Sequence, residues 1–533
     1  MEKQNAFAGR SLCVIDDFTK EERMYLFEQV KILKKAMEEQ DDATLSQFRI
    51  DDRDFGIYEV FLEDSTRTKE SFRNAANFHH AKVSELNSDS SSFNKGESYA
   101  DTFNTLSGYA NTIFIIRSKV EGVCRWLENT CNSYAERNHL YRKPAFINAG
   151  DGKHEHPTQE LLDEFTFLED NGWETDELHI ALVGDLFHGR TVHSKADGLT
   201  IFKTVRVDLI APVELAMPDA YVQRMVENGY SLRFFSSIEE YLAQNDIADK
   251  WYFTRPQLER MGDRILQRQE ELRRSITFRK EFMGQLKEGT KFYHPLPRHK
   301  VTPTIPTFLD ETPLNGWERQ SINGMYVRIV LLSLIAGKIG SPFENPKKIQ
   351  VPPEEDYICE EDLSQRPAKE KVVSEGVQPI HDGLVIDHIC KGDRPSEIRS
   401  HMHLISSVLG LDEQKGGEWV STSRNQETYK GIIFRPGHYT LDRKQLKRLA
   451  AVAPGCTLNV IEDGKVVHKF RLHMPPRIYN FDDLACTNEA CISHPDQNEG
   501  VPALFYRTKD NHFACAYCGK IHTFKEIWKS RNK

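Results

Sequence analysis

Apolar and polar residues follow two alternating periodicities over the first 338 residues. Stretches such as EERMYLFEQVKILKKAMEE (21–39) place apolar residues at helical spacing, and short apolar runs such as TIFIIR (112–117), HIALVGD (179–185) and DKWYFTR (249–255) lie between such stretches. Short apolar runs that alternate with amphipathic helices are typical of buried parallel strands in an α/β layer. An apolar helix is predicted at 321–338.

The pattern changes after residue 338. Residues 339–376 are rich in proline and charge and show little periodicity, which predicts an exposed linker. Short β-like runs such as GLVIDHI (383–389) and KGIIFR (430–435) then alternate with helical stretches, so residues 377–474 are predicted to form a small α+β module. The tail, 475–533, contains four closely spaced cysteines and is read as a further unit.

Composition narrows the class of protein. A length of 533 residues predicts two or three domains, and 28 % charged residues with a mean hydropathy of −0.56 are typical of a folded chain. The net charge of −10 excludes a chain-wide basic field for nucleic acid. No apolar stretch is long enough for a signal peptide or a membrane span, so we expect a cytoplasmic protein without membrane partners.

Hydroxyl and guanidinium groups cluster where the predicted strands end. The segment FLEDSTRTKESF (61–72) places Ser65, Thr66, Arg67 and Thr68 at the start of a predicted helix, which suits a phosphate group. Polar residues at or just past other strand ends are Arg117, His156, Gln159, Arg190, Arg255 and Gln257. Each alone fits a capped helix or a solvated surface, but together they indicate a pocket for several negative charges.

Two common nucleotide-binding motifs are missing. LVGDLFHGRT (182–191) lacks the G-x-G-x-x-G spacing of a dinucleotide site, and the chain contains no G-x-x-x-x-G-K-[ST] loop. A dehydrogenase or a P-loop NTPase is therefore disfavoured.

The cysteines of the tail form two close pairs, Cys486-x4-Cys491 and Cys515-x2-Cys518. Two such pairs suit a tetrahedral thiolate site, and four thiolates leave no open position for water, so the spacing predicts structural zinc. The alternatives are reduced core cysteines and a nucleic-acid-binding ribbon. The second is disfavoured because the tail carries 8 Lys plus Arg against 7 Asp plus Glu.

Several motifs together resemble one family. STRT (65–68), SSFNKGES (91–98), NAGDGKHEHPTQ (148–159), VGDLFHGRTVHS (183–194), TRPQ (254–257) and HPLPR (294–298) resemble aspartate carbamoyltransferases, over roughly residues 7 to 338. Beyond the linker, GLVIDHI and the four-cysteine tail resemble the regulatory chain of the same enzyme. The sequence therefore resembles a fusion of catalytic and regulatory chains.

The resemblance implies two doubly wound parallel-sheet domains. Residues 1–157 would bind carbamoyl phosphate, with helix 321–338 packing back on them, and residues 158–338 would bind aspartate. The linker (339–376), a nucleotide-effector-like module (377–474) and a zinc-binding β domain (475–533) would follow. The implied reaction converts carbamoyl phosphate and L-aspartate to N-carbamoyl-L-aspartate and phosphate, an early step of de novo pyrimidine biosynthesis.

The resemblance also implies a role for each matching residue. The phosphate would be held by Ser65, Thr66, Arg67, Thr68 and Arg117, and the carbamoyl oxygen polarised by Thr68, Arg117 and His156. The carbamoyl amino group would meet Gln159 and the backbone of Leu296 and Pro297, and the aspartate carboxylates would meet Arg190 and Arg255, steadied by Gln257. Ser91 and Lys95 would enter the site of a neighbouring subunit, with Lys95 at the aspartate site, which implies a catalytic trimer.

The regulatory module resembles a nucleotide-effector domain only in part. Asp387, His388 and Lys469 match effector-binding positions, although Asp387 and His388 also fit a polar strand end. Phe434 and Pro436 stand in a segment where relatives carry a lysine, so we hypothesise that nucleotide control is weakened and that the module serves mainly assembly.

Two alternative functions remain open from the sequence. A transferase with another amino-acid acceptor differs only near Arg255, although HPLP (294–297) in place of His-Cys-Leu-Pro disfavours ornithine. An inactive zinc-containing scaffold would need a broken anion site. Phe187 and His188 also depart from the Lys and Tyr of many relatives, so domain closure and its regulation can differ here.

Overall fold

The structure is a computed structural model of the chain. It describes residues 5–52, 54–86, 96–109, 112–257, 268–341, 343, 357–363, 380–392, 394–422, 428–439 and 442–528. The chain forms two compact units, one of residues 1–349 with the segments 488–501 and 517–520, and one of the remaining residues from 350 onward. Within the described part, no helix combines the length and the apolar character needed to cross a membrane.

The first sheet of the larger unit has four parallel strands in the order β2-β1-β3-β4. Its strands are β1 Gly56–Phe61, β2 Lys82–Leu86, β3 Ile113–Ser118 and β4 Ala145–Asp151. Every residue of β3 and β4 is buried, as their continuous apolar runs predict. The accompanying helices are α1 Lys20–Glu39, α2 Asp42–Phe48, α3 Thr66–Phe78, α4 Tyr99–Ser107, α5 Val123–Arg137 and α6 Pro157–Asp170.

The second sheet has five parallel strands in the order β7-β6-β5-β8-β9. The strands are β5 Glu177–Val183, β6 Thr204–Ile210, β7 Ser231–Phe235, β8 Lys250–Phe253 and β9 Lys291–Tyr293. Its helices are α7 Arg190–His193, α8 Lys195–Gly198, α9 Asp219–Glu227, α10 Ile238–Leu242 and α11 Gln269–Ile276. The two parallel sheets confirm the predicted α/β class.

Helix α12 (Trp317–Ile335) returns the chain from the second sheet to the helices of the first. It packs on α1, α3 and α6. Arg328 donates to the Ser71 hydroxyl of α3 at 3.1 Å, and Asn323 donates to the Thr166 hydroxyl of α6 at 3.0 Å. The apolar residues from Val327 to Ile335 complete a core shared with α1 and α6, which explains why this helix has little polar surface.

The smaller unit contains antiparallel sheets. Six strands in the order β10-β15-β14-β11-β13-β12 carry α13 (Pro395–Leu409) and α14 (Arg443–Val452), and four short strands follow in the order β16-β17-β18-β19. The strands are β10 Ile358–Glu360, β11 Gly383–Gly392, β12 Gly417–Thr422, β13 Tyr429–Pro436, β14 Thr457–Glu462, β15 Lys465–Leu472, β16 Arg477–Tyr479, β17 Leu504–Arg507, β18 Phe513–Cys515 and β19 Ile521–His522.

One strand lies where the sequence indicates an exposed linker. β10 pairs with β15, with Ile358 opposite Leu472, inside the range 339–376. Only Ile358 of its three residues is buried, so the strand carries too short an apolar signal to be recognised among the surrounding prolines and charges.

Candidate active site

A cavity of about 480 Å³ opens in the larger unit. Residues after strands β1 and β4, together with Arg117 near the end of β3, line it from the first sheet, and residues after β5, β8 and β9 line it from the second. The carboxyl ends of parallel strands are the usual ligand side of an open α/β sheet. The cavity therefore lies where both sheets present their loops.

The cavity brings together sequence-predicted residues from segments far apart in the chain. The predicted residues that line it are Ser65, Thr66, Arg67, Thr68, Arg117, His156, Gln159, Arg190, Arg255, Gln257, Leu296 and Pro297. Two further predicted residues, Ser91 and Lys95, lie outside the described residues.

The start of α3 forms one wall of this cavity. Ser65 is the N-cap residue, and its hydroxyl makes no capping hydrogen bond to the helix. The first turn carries no acidic side chain that would satisfy the helix-start N–H groups. These N–H groups, the hydroxyls and the Arg67 guanidinium, whose pKa is lowered by burial, form a site suited to a phosphate group.

Glu63 bridges two of the predicted arginines. Its Oε2 lies 3.1 Å from Arg117 Nη2 and 3.0 Å from Arg190 Nη1. Burial, followed by the nearby Arg190 charge, lowers the pKa of Arg117 to about 9. The two guanidiniums repel each other, and Glu63 offsets this repulsion. Glu63 was not predicted from the sequence, although it stands two residues before Ser65, just past the end of β1.

His156 precedes α6 and is buried. Burial, together with the charges of Arg117, Arg190 and Arg328, holds the pKa of His156 well below its usual 6.5, so the imidazole is neutral near pH 7. Thr158 Oγ1 lies 3.4 Å from His156 Nδ1 and accepts from Arg328 Nη2 at 3.5 Å. A neutral imidazole whose Nδ1 accepts from Thr158 carries its proton on Nε2, and Nε2 is then a hydrogen-bond donor.

Asp185 organises the side of the cavity that the second sheet provides. It accepts from the Gln257 backbone N–H at 2.9 Å and from the His188 backbone N–H at 2.9 Å. Gln257 Nε2 donates to the His188 carbonyl at 3.2 Å, so TRPQ (254–257) and VGDLFHGRT (183–191) are held together beside Arg255.

Other buried residues of the cavity were missed by the sequence analysis. Arg328 of α12 lines the wall, and burial lowers its pKa to about 10. Burial also lowers the pKa of His294 to about 3, and His294 Nδ1 accepts from the Leu296 N–H at 2.8 Å. Gln320 completes this group. His294 stands inside HPLPR (294–298), but nothing in the local sequence connects Arg328 or Gln320 with the cavity.

The four tail cysteines form a separate cluster. Cys486, Cys491, Cys515 and Cys518 are buried, and their sulfur atoms lie within 4.8 Å of one another. Tetrahedral Zn–S bonds of about 2.3 Å would place neighbouring sulfurs about 3.8 Å apart. The donor set and its spacing therefore fit a structural metal with a closed coordination sphere.

The predicted effector residues lie on the six-stranded sheet. Lys430 Nζ pairs with Asp387 Oδ1 at 2.9 Å, and His388 follows with a positive φ of 63°. Lys469 lies two strands away and pairs with Glu361 at 3.0 Å.

Comparisons with known families cover most of the chain. Residues 10–169 match the aspartate/ornithine carbamoyltransferase carbamoyl-P binding domain, and residues 176–335 match the Asp/Orn binding domain of the same family. Residues 375–473 match the allosteric domain of the aspartate carbamoyltransferase regulatory chain, and residues 476–528 match its metal binding domain.

Individual relatives match over nearly the full length. The chain is 69 % identical over 529 residues to "Protein PyrBI" of Treponema denticola and 51 % identical over 527 residues to that of Thermotoga maritima, covering 98 % of this chain and 99 % of each relative. A Trypanosoma cruzi aspartate transcarbamoylase in complex with carbamoyl phosphate and aspartate matches 63 % of this chain and 99 % of its own, at 27 % identity and a TM-score of 0.51. The catalytic subunit of the M. jannaschii enzyme matches 62 % and 98 %, at 30 % identity and a TM-score of 0.52.

Proposed function

This chain belongs to the aspartate carbamoyltransferase family, in a form that fuses the catalytic and regulatory chains, and from that premise we propose which residues carry the reaction. The enzyme transfers the carbamoyl group of carbamoyl phosphate to L-aspartate in pyrimidine biosynthesis. The assignment of residues rests on one observation. Four arginines from distant segments of the chain line the same cavity: Arg67, Arg117, Arg190 and Arg255.

The phosphate of the first substrate is assigned to the start of α3. Ser65, Thr66, Arg67 and Thr68 stand at the helix start, and Arg117 lines the same cavity. Helix-start N–H groups and guanidiniums both favour an anion. The absence of acidic residues from the first turn of α3 supports this assignment.

The carbamoyl group is assigned to the residues beside this phosphate site. Thr68, Arg117 and neutral His156 donate to the carbamoyl oxygen. Gln159 and the backbone of Leu296 and Pro297 bind the amino group.

The aspartate carboxylates are assigned to the guanidiniums of Arg190 and Arg255, with Gln257 positioned beside them. Guanidiniums pair with carboxylates in a bidentate manner, which favours a dicarboxylic acceptor over ornithine. Lys95 and Ser91 are proposed to enter the site from a neighbouring subunit, so the active assembly is proposed to contain a catalytic trimer.

No protein nucleophile is required for this reaction. The aspartate amine attacks the carbamoyl carbon, negative charge builds on the carbonyl oxygen, and phosphate leaves. The arginines hold two mutually repelling anions in contact, and donors aimed at the carbonyl oxygen stabilise the charge that develops there. An entering anion also competes with Glu63, whose carboxylate pairs with Arg117 and Arg190 in this structure.

The two remaining modules are assigned regulatory and structural roles. We propose that Cys486, Cys491, Cys515 and Cys518 hold zinc, which would cross-link the tail without taking part in the reaction. We retain the proposed division at residues 157, 338, 376 and 474, since the four family matches fall in the same order along the chain.

Nucleotide control is proposed to be weakened. Asp387 and Lys469 each have a protein partner of opposite charge, and Phe434 occupies a position where relatives carry a lysine. Titration of ATP and CTP against activity tests this proposal, and a clear micromolar response to either nucleotide would contradict it.

Turnover itself tests the assignment of substrates. Colorimetric detection of carbamoyl product should show turnover of carbamoyl phosphate with aspartate and none with ornithine in place of aspartate. Product formed from ornithine at a comparable rate would refute the assignment of Arg190 and Arg255 to two carboxylates. Sedimentation velocity tests the trimer.

A further inference from the structure

A buried carboxylate lies directly behind the cavity wall. Asp163 is one helical turn after Gln159 on α6, and its side chain is inaccessible to solvent. Its Oδ1 accepts from Gln159 Nε2 at 2.9 Å and from Gln320 Nε2 at 2.6 Å. Gln320 Oε1 in turn accepts from the His294 backbone N–H at 2.9 Å. Asp163 therefore connects Gln159 with the start of HPLPR (294–298).

The charge of Asp163 is balanced by a buried ammonium. Lys195 Nζ lies 2.8 Å from Asp163 Oδ2 and 2.8 Å from Glu160 Oε2, and all three side chains are buried. Among the described residues, Glu160 Oε1 finds no hydrogen-bond partner. Asp163 and Glu160 thus share the same ammonium, but only Asp163 also contacts the two glutamines.

A carboxylate can only accept hydrogen bonds, whereas an amide has an accepting end and a donating end. Asp163 therefore requires Gln159 to turn its NH2 group inward, which leaves the Gln159 carbonyl oxygen as the polar end available to the cavity. The same requirement turns the Gln320 carbonyl toward the His294 N–H. A carbonyl oxygen is the correct partner for an amino group, which has only N–H groups to donate.

We propose that Asp163 is a positioning residue that fixes the amide orientation of Gln159 and thereby makes the site selective for the amino group of carbamoyl phosphate. This inference rests on the proposed contact between Gln159 and that amino group. It assigns to Asp163 no contact with either substrate.

Asp163→Asn gives a sharp test because the amide it introduces must also have one orientation. Lys195 Nζ can only donate, so it takes the carbonyl oxygen of the new asparagine. The NH2 group of the asparagine then faces Gln159 and Gln320, and both glutamines must rotate to accept from it. Gln159 would then present NH2 to the substrate, where two donors would oppose each other.

Glu160→Gln is the matched control. Both substitutions replace one of the two carboxylates that contact Lys195 and leave the other in place. Glu160→Gln leaves Asp163 Oδ1 and both glutamines as they are. A second variant, Asp163→Glu, keeps the charge and displaces the carboxylate by one methylene. It should lose less of the preference for carbamoyl phosphate, and it provides the test if Asp163→Asn does not fold.

The readout compares carbamoyl phosphate with ligands that lack its amino group. The probes are inorganic phosphate and acetyl phosphate, which carries a methyl group at that position, each measured as an inhibitor. In Asp163→Asn the KM for carbamoyl phosphate should rise at least about tenfold, while both inhibition constants change less than about twofold. Glu160→Gln should leave all three constants within about twofold of the wild type.

The inference is overturned if Asp163→Asn keeps the wild-type preference for carbamoyl phosphate over acetyl phosphate, or if Glu160→Gln loses that preference equally. Gln159→Leu separates this result from a failure of the proposed site. If Gln159→Leu keeps the preference, the contact between Gln159 and the amino group is wrong, and the inference falls with it. If Gln159→Leu loses the preference and Asp163→Asn does not, only the positioning role is wrong.

Discussion

Gly150 allows two arginines to meet at the cavity, and adding one methyl group there should separate them. Gly150 lies near the end of β4 with φ at +111°, a conformation that L side chains rarely adopt. A Cβ at this position would lie 2.9 Å from Arg117 Nη1 and 3.2 Å from both Cζ and Nε of Arg190. Gly150→Ala therefore perturbs both guanidiniums without removing any group that binds substrate.

The size of the effect follows from these distances. Non-bonded heavy atoms prefer separations of about 3.5–4.0 Å, so the Arg117 guanidinium must retreat by roughly 0.6 to 1.1 Å and the Arg190 guanidinium by roughly 0.3 to 0.8 Å. A misplacement of about 1 Å costs on the order of 10²-fold in rate. We expect kcat/KM for Gly150→Ala to fall about 10- to 100-fold, or about 1.4–2.7 kcal/mol of transition-state stabilisation.

The assay is the initial rate of carbamoyl aspartate formation with carbamoyl phosphate varied at saturating aspartate, together with the thermal unfolding midpoint. Gly172→Ala is the control because Gly172 also has a positive φ, +62°, but no described atom lies within 4 Å of its added Cβ. Both variants should lose stability through backbone strain, by about 1–3 kcal/mol, but only Gly150→Ala should lose activity. Wild-type kcat/KM in Gly150→Ala, or an equal loss in Gly172→Ala, would refute the reasoning.

Three further predictions concern the assigned groups. Arg67→Ala should lower kcat by about 10²-fold or more because a donor to the leaving phosphate is lost. Arg255→Ala should mainly raise the KM for aspartate. Initial rates with each substrate varied in turn measure both effects. The pKa of His156 is depressed, so the unfolded chain binds a proton near pH 6.5 that the folded chain does not bind. Acidification from pH 7.5 to 5.5 should therefore lower the stability of the wild type by about 1.4 kcal/mol more than that of His156→Gln. Thermal unfolding of both proteins at both pH values measures this difference. Cys515→Ser should lower the zinc content below one per chain, measured by atomic absorption, and lower the unfolding midpoint.

Each of these predictions has an outcome that contradicts it. Wild-type kinetics in either arginine variant would show that the substituted arginine does not have its proposed role. An equal acid-induced loss of stability in wild type and His156→Gln would show that the imidazole titrates normally. Cys359→Ser, at an exposed cysteine, is the control for Cys515→Ser, and equal metal contents in the two variants would contradict the zinc assignment.

The interior strands could be predicted from sequence because burial on both faces produces continuous apolar runs. Strands β3, β5 and β8 follow such runs closely. The edge strands β2 and β7 were not recognised, since neither contains a fully buried position and their mixed composition resembles that of loops.

The residues of the candidate site were likewise predictable only where a local sequence motif contains them. Residues within compact motifs, such as Arg67 and His156, could be selected from their neighbours in sequence. Asp163 and Gln320 could not, because the bond between them joins positions 157 residues apart and neither residue stands in an unusual local pattern. Contacts of this kind are created by the packing of α12 on α6, which no local periodicity records.

The return of α12 to the first sheet has a consequence for synthesis on the ribosome. Helices α1, α3 and α6, on which α12 packs, are complete once residue 170 has been synthesised. Helix α12 itself ends only at Ile335. At about 5–20 residues per second, roughly 10–30 s separate the emergence of the two. Throughout that interval the apolar surfaces of α1, α3 and α6 that later contact α12 lack their final partner, so the nascent chain depends there on chaperones or on its own transient contacts.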